Sequence, residues 1–501
     1  MDAGAIVIGK TNMDQFATGL TGTRSPYGVV PNSFDERYIG GGSSSGSASV
    51  VARGLVPFAL GTDTAGSGRV PAGLNNIVGL KPTRGRLSMT GVVPACRSLD
   101  CVSVFALTVE DAERVCELGS AFDPADAYSR ATPEPLPLEM IGDDACYAVP
   151  AAPEFHGDTA QAAAWDAALE ILRSRGLRLE ARDLAPLDEV AALLYGGPWV
   201  AERYAAIQSF IENHAASMHA VVRDIVLGGA AYTAADAFRG QYRLAALKRQ
   251  VDATLAGCDA LLVPTVPRHL LIDDVLAEPV RLNAELGKYT NFVNLLDWCA
   301  LALPAGMRAD GLPFGITLVA PQWREPALCR EGRRWQRWFP GRLGATSLPV
   351  PGLDHDTAKP APPAAANTGG HVDLAVVGAH LAGMPLNHQL GDRGAVRVSV
   401  TTTSANYRLF ALPDTAPPKP GLARARNGAC IEVEVWRLTV EAFGSFVAEV
   451  PPPLGIDSVE LADGGWVKGF ICEGAALDGA ADITHYGGWR AYLAARDTEQ
   501  H

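Results

Sequence analysis

The chain has 501 residues, 48% of them hydrophobic and 19% charged, with a formal charge of −13, the balance of a soluble globular protein of roughly two to four domains. The acidic excess excludes a general nucleic-acid or membrane-surface binder, which needs a basic face to attract phosphates. The apolar runs are too short for a membrane span and MDAGAIVIGKTNMDQF has no basic-then-apolar signal plan, so a cytoplasmic protein is expected.

The elements follow in chain order. GGSSSGSA at 41–48 precedes ASVVARGLVPFALGTD, which reads as a helix and then a strand, so the serines stand where a helix begins. Asp158 is placed to cap a helix with Trp165, Leu169 and Leu172 on one face, ending near Gly176 and followed by the alternating run LRLEARDL. DALLVPTVP (259–267) and GLPFGITLVAP (311–321) read as buried strands, and helices mixed with strands in this way predict an α/β domain around a large sheet. Residues 350–370, VPGLDHDTAKPAPPAAANTGG, have the composition of a semi-extended linker. Beyond them DLAVVGAH, AVRVSVTTT, YRLFALP, ACIEVEVWRL and WVKGFICEG are short β-rich segments, which predict a small barrel or α+β module.

Nine cysteines, an odd number scattered from Cys96 to Cys472 without CxxC or another metal-ligand spacing, read as reduced and mostly buried. An anionic substrate would need a local cation, and arginine is the expected one, because only seven of the 42 basic residues are lysines.

Three readings compete for the serines. A Gly/Ser linker is the plain one, but the apolar helix that follows belongs to a packed domain. Gly42-Ser43-Ser44-Ser45-Gly46 also fits G-x-S-x-G, the nucleophile elbow, with Ser44 as nucleophile; that elbow must follow a buried strand, and NSFDERYIG is polar. In GTDTAGSGR (61–69), Gly61 and Gly66 have P-loop spacing, but Ser67 stands where the phosphate-binding lysine belongs, which excludes nucleotide binding. Taken together, GGSSSGSASVVARGLVPFALGTDTAGSGRVPAGLNNIVGLKPTRGR closely resembles the amidase signature family, a likeness that extends to the upstream GKTNMDQFA and the downstream PFGITLVAP.

The resemblance implies an α/β amidase signature fold, a large mixed sheet flanked by helices, over residues 1–349. It makes Ser67 the nucleophile and Ser43, after a cis peptide bond, the serine that relays a proton. The Gly-flanked loop Thr64-Ala65-Gly66 then supplies backbone N–H groups to the developing oxyanion. In this family a neutral, buried lysine accepts the proton from the relay serine. It lies further upstream than the 42 residues before Ser43, and Lys10 and Lys81 match other positions, in GKTN and GLKPT. A missing N-terminal segment is therefore expected, with a degenerate, inactive enzyme as the alternative.

LAVVGAHLAGMPLNHQL, EVEVWRL and DITHYGGWRAYL resemble the C-terminal domain of allophanate hydrolases, a small α+β γ-glutamyl cyclotransferase-like fold, over 371–501. By this resemblance the substrate is allophanate, and Tyr195 and Arg203 in LLYGGPWVAERY match a Tyr and an Arg that bind its carboxylate, which an arginine fork pairs bidentately. The products are ammonia and carbon dioxide, with no metal or organic cofactor. A homodimer and a functional link to a biotin-dependent urea carboxylase, or to cyanuric acid breakdown, are also implied. His380, His388 and His485 lie in the matched C-terminal segments, where a structural role is the commoner one for a lone histidine. Two other functions stay open: a different amidase, such as an amidotransferase-type glutaminase, and a non-catalytic binding partner.

Overall fold

A mixed sheet of eight strands organises the first part of the chain: β1 (Phe58–Thr62), β2 (Val78–Lys81), β3 (Val102–Ala106), β4 (Cys146–Pro150), β5 (Arg178–Arg182), β6 (Ala260–Pro264), β7 (Trp298–Met307) and β8 (Pro313–Pro321). Their order is β1-β3-β2-β7-β8-β6-β4-β5. β4 pairs in parallel with β5 and β6, and the remaining neighbours are antiparallel. The central strands read as unbroken apolar runs because both of their faces are covered. Leu262, Leu301, Leu303, Ile316 and Leu318 pack with Trp165 and Trp335 on one face. Their chain neighbours Leu261, Ala300 and Val319 pack with Leu194 and Val293 on the other.

The expected elements form here. Asp158 accepts from Gln161 N–H and caps the Thr159–Ser174 helix, which buries Trp165, Leu169 and Leu172. The two buried strands predicted at 259–267 and 311–321 are β6 and β8. The serine run opens the Ser45–Ala52 helix, which β1 follows.

The computed structural model describes residues 3–133, 141, 145–339, 341–350, 371–413, 415–425 and 427–499. The chain divides into two compact units, Met1–Asp356 and Thr357–His501. The linker expected at 350–370 lies, apart from Val350, outside the described residues.

The second unit is smaller and β-rich. Its strands are β9 (His371–Val376), β10 (Val396–Thr402), β11 (Tyr407–Ala411), β12 (Pro420–Arg424), β13 (Glu432–Thr439), β14 (Leu454–Glu460), β15 (Trp466–Cys472) and β16 (Ala481–Asp482). They form a five-stranded sheet in the order β10-β13-β9-β15-β14 and a three-stranded one in the order β12-β11-β16. Leu374, Val376, Val433, Val435, Phe446 and Phe470 share one core. No helix among the described residues is long and apolar enough to cross a membrane.

Candidate active site

The three consecutive serines have different surroundings. Ser44 is spent on structure: its Oγ accepts from Thr62 N–H at 3.1 Å and donates to Thr62 O at 3.2 Å, fastening the helix start to β1. Ser47 Oγ similarly donates to Leu60 O. Ser43 follows a cis Gly42–Ser43 bond and is fully buried, and among the described residues its hydroxyl has no hydrogen-bond partner. The Ser45 hydroxyl is also unpartnered, inside the first turn of the helix.

Residues 63–69 form a loop closed by an ion pair. Asp63 takes Arg69 bidentately, Nε at 2.9 Å and one terminal nitrogen at 3.0 Å, with both side chains inaccessible to solvent. Asp63 also accepts from Gly68 N–H, and Arg69 reaches Thr290 O. Gly66 has φ +150°, and a Cβ there would lie 2.4 Å from Thr290 Oγ1, so only glycine lets the loop press this close. Within this buried loop, the backbone N–H groups of Thr64, Ala65 and Gly66 donate to no other described residue. Buried N–H groups are almost always satisfied, so three unspent donors in succession form a place for an anion. Ser67 is 1% exposed, and among the described residues its hydroxyl makes one long bond, Oγ to Gly19 O at 3.4 Å.

Tyr195 ends the Ala185–Gly196 helix and Arg203 lies one turn into the Trp199–His214 helix, so Gly197–Pro198 breaks the helix between them. The two side chains still meet across that break: Arg203 donates to Tyr195 OH at 3.2 Å, and its guanidinium carbon lies 5.1 Å from the centroid of the tyrosine ring. Its other terminal nitrogen donates to Thr18 Oγ1 at 3.1 Å, while Nε has no hydrogen-bond partner among the described residues. Arg203 is 2% exposed, and among the described residues no carboxylate lies within 4.0 Å of it. Thr18 precedes Gly19, whose carbonyl takes the Ser67 hydroxyl, so the unpaired cation and the predicted nucleophile border the same two residues.

Several supporting residues were not singled out from sequence. Asp63 and Arg69 have a local signal, both lying in the GTD-to-Arg motif. Asp14 lies in GKTNMDQFA, where nothing marked its role: its carboxylate accepts from Gly22 N–H and Arg24 N–H while its own N–H donates to Ser43 O, and burial raises its pKa. Asp100 accepts from Thr64 Oγ1 at 2.6 Å, and burial raises its pKa too. Glu202 accepts from Ser98 N–H, Ser98 Oγ and Cys96 Sγ. Lys81 is buried and donates to Pro82 O and Trp298 O, the structural part expected for it, and Lys10 is exposed.

In the second unit, a cavity of about 180 Å³ is lined by His380, Gln389, Lys419, Phe446 and Phe470. His380 bonds Gln389 Oε1 at 2.9 Å and stacks on Phe470, and burial lowers its pKa. His388 and His485 are exposed and do not line it.

One group among the described residues has the donors and spacing to hold a metal: Cys146, Glu180 and Cys258, with ligand atoms within 4.8 Å of one another. The cysteine spacing along the chain hid it, because β5, β4 and β6 are neighbours in the sheet and bring the three residues together. Two thiols and a carboxylate suit a zinc-like ion. However, Glu180 is already held by Arg178 and Arg182 at 2.5 Å each, and burial, reinforced by Cys258, pushes the Cys146 thiol up to about 12. Both features oppose a cation.

The chain matches the Amidase family model over residues 1–329 and the allophanate hydrolase C-terminal domain over residues 372–494. Urea amidolyase of Saccharomyces cerevisiae is 47% identical over 512 residues, which is 98% of this chain but 27% of that protein, so the chain spans little more than a quarter of this relative. The structure of Kluyveromyces lactis allophanate hydrolase aligns with a TM-score of 0.68 at 46% identity, covering 98% of this chain and 82% of that one. A glutamyl-tRNA(Gln) amidotransferase subunit from Chlorobium luteolum is 32% identical over 68% of this chain and 76% of that protein.

Proposed function

We propose that this chain, which belongs to the amidase signature family and carries an allophanate hydrolase C-terminal domain, is an amidohydrolase that converts allophanate to ammonia and carbon dioxide. The observation that carries the reading is Arg203: a buried guanidinium with no carboxylate in contact among the described residues, on which Asp100 and Glu202 act only from beyond 4.0 Å, borders the segment that touches Ser67. Allophanate is urea bearing one carboxylate. With that carboxylate on Arg203 and Tyr195, the terminal amide carbonyl turns to Ser67.

Ser67 Oγ attacks that carbonyl, and the oxygen that becomes negative meets the N–H groups of Thr64, Ala65 and Gly66. Ser43 passes the proton from Ser67 to the leaving nitrogen, ammonia departs, and water then cleaves the acyl-serine. The released N-carboxycarbamate loses carbon dioxide to give carbamate, which breaks down to ammonia and a second carbon dioxide. Such a substrate is made by carboxylating urea, so the enzyme's place is beside a biotin-dependent urea carboxylase.

The test is ammonia release from allophanate by the 501-residue chain, with Ser67→Ala as control. Turnover that falls by about a thousandfold or more in the control supports the reading. A second reading has its own observation: Ser43 Oγ has no proton acceptor among the described residues. Binding of substrate without turnover, even when a lysine-bearing upstream segment is supplied, would make the chain a binding partner. Turnover of glutamine in place of allophanate would favour the glutaminase alternative, which leaves Arg203 and residues 372–494 without a role.

A further inference from the structure

The carboxylates of Asp100 and Glu202 have no part in the chemistry above, yet both accept hydrogen bonds from one short turn. Asp100 accepts from Ala95 N–H at 2.9 Å and from Cys96 N–H at 3.0 and 3.1 Å, closing the turn on itself. Leu99 N–H and Asp100 N–H both return to Cys96 O at 2.8 Å. So many internal bonds within six residues make Ala95–Asp100 a stiff body.

The turn is fastened at both ends. On one side Asp100 takes the Thr64 hydroxyl at 2.6 Å, Asp63 N–H donates to Cys101 O at 2.7 Å, and Asn294 Nδ2 bridges Asp63 O and Leu99 O. On the other, Glu202 receives Ser98 N–H and Ser98 Oγ at 2.7 Å and Cys96 Sγ at 3.0 Å. Glu202 precedes Arg203 on the same helical turn. That stretch of helix has natural breaks on both sides, Gly197–Pro198 before it and Ile207, with non-helical φ −127° and ψ 22°, after it. The segment that bears Arg203 is therefore short, separately bounded, and tied through one carboxylate to the turn that holds the oxyanion loop.

We propose that the Ala95–Asp100 turn is a positioning link between the two halves of the site: a substrate carboxylate clamped by Arg203 sets the Thr64–Gly66 N–H groups, with Glu202 and Asp100 as the fastening residues. The proposal rests on the allophanate reading for the occupants of Arg203 and the loop. Its consequence is discrimination by substrate. An amide without a carboxylate leaves the helix segment unclamped and the oxyanion loop less ordered, so charge at one end of the substrate is sensed at the bond that breaks.

Malonamate, in which a methylene replaces the central nitrogen of allophanate, is the probe, and the readout does not need turnover. Its affinity is measured by calorimetry, and backbone hydrogen exchange is followed over Gly61–Arg69 with and without saturating probe, in the full chain and in Glu202→Gln. In the unsubstituted chain the probe should slow exchange in that segment roughly fivefold or more. In Glu202→Gln affinity should stay within about threefold, since Arg203 is intact, while the protection is lost.

Protection that persists in Glu202→Gln overturns the link. Loss of affinity together with protection also overturns it, because Glu202 then merely builds the Arg203 pocket. Should Glu202→Gln fail to fold, Ser98→Ala decides: it removes one donor to Glu202 from a half-buried position, and unchanged protection there counts against the link. Failure of malonamate to bind the unsubstituted chain removes the allophanate reading and the link with it.

Discussion

Two buried arginines on either side of the serine loops teach different lessons. Arg69 is met bidentately by Asp63, and the pair closes the loop that carries Ser67. Arg203 is almost as buried, but among the described residues its hydrogen bonds go to a phenol and a threonine hydroxyl. A buried charge paired in contact serves the fold, whereas Arg203 has no carboxylate in contact among the described residues and feels Asp100 and Glu202 only from beyond 4.0 Å. The same contrast recurs among the serines, where Ser44 spends its hydroxyl on β1 and Ser43 does not.

The comparison breaks most visibly at Asp63. Asp63→Asn leaves Arg69 as an uncompensated buried charge and weakens the contact to Gly68 N–H, so the first unit should lose about 3–5 kcal/mol of stability, read in a denaturant titration. Asp63→Leu combined with Arg69→Met, which removes both charges, should recover part of that loss.

Arg203→Met should do the reverse. Arg203 has no carboxylate in contact among the described residues and feels Asp100 and Glu202 only from beyond 4.0 Å, so its removal should cost clearly less stability than Asp63→Asn. The cost should fall on the ligand, with malonamate affinity lowered about 100-fold or more, since losing one side of a buried charged contact costs roughly 2–5 kcal/mol. A loss of stability as large as that of Asp63→Asn, with affinity retained, would make Arg203 a structural residue like Arg69.

What could be read from the sequence follows the distance along the chain over which each feature is built. Ser43, Ser67 and the Thr64–Gly66 loop lie within 25 residues, in one stretch whose glycines, serines and Asp–Arg pair carry their own spacing. The strands 259–267 and 311–321 were legible because continuous apolar runs bounded by prolines have few other uses. Asp14 lies in GKTNMDQFA and Glu202 in LLYGGPWVAERY, but neither stretch marked them as site residues, and Asp100 lies outside both. Their partners are 4 to 106 positions away, and an acidic residue in a polar stretch looks like any solvated one until the fold buries it. The Cys146, Glu180 and Cys258 cluster is hidden for a similar reason: its spacing exists across the sheet, not along the chain. Tyr195 and Arg203 came from resemblance, since a spacing of eight says nothing of the break at Gly197–Pro198 that separates their helices.

The smallest expected effect separates two adjacent hydroxyls. Ser44→Ala removes two hydrogen bonds to Thr62, one in each direction, and leaves the Thr62 N–H without its acceptor, so it should cost about 1–3 kcal/mol of stability. Turnover per folded molecule should be unchanged, because nothing in the acyl-transfer sequence passes through that hydroxyl. Ser43→Ala removes a hydroxyl with no partner to lose, so it should barely move the unfolding midpoint while slowing turnover by about 100-fold or more. Measured side by side, the two variants sort stability from chemistry across one peptide bond. If Ser44→Ala instead abolishes turnover at full stability, the nucleophile-elbow reading of Gly42–Gly46 returns, and the loop around Ser67 becomes the structural partner.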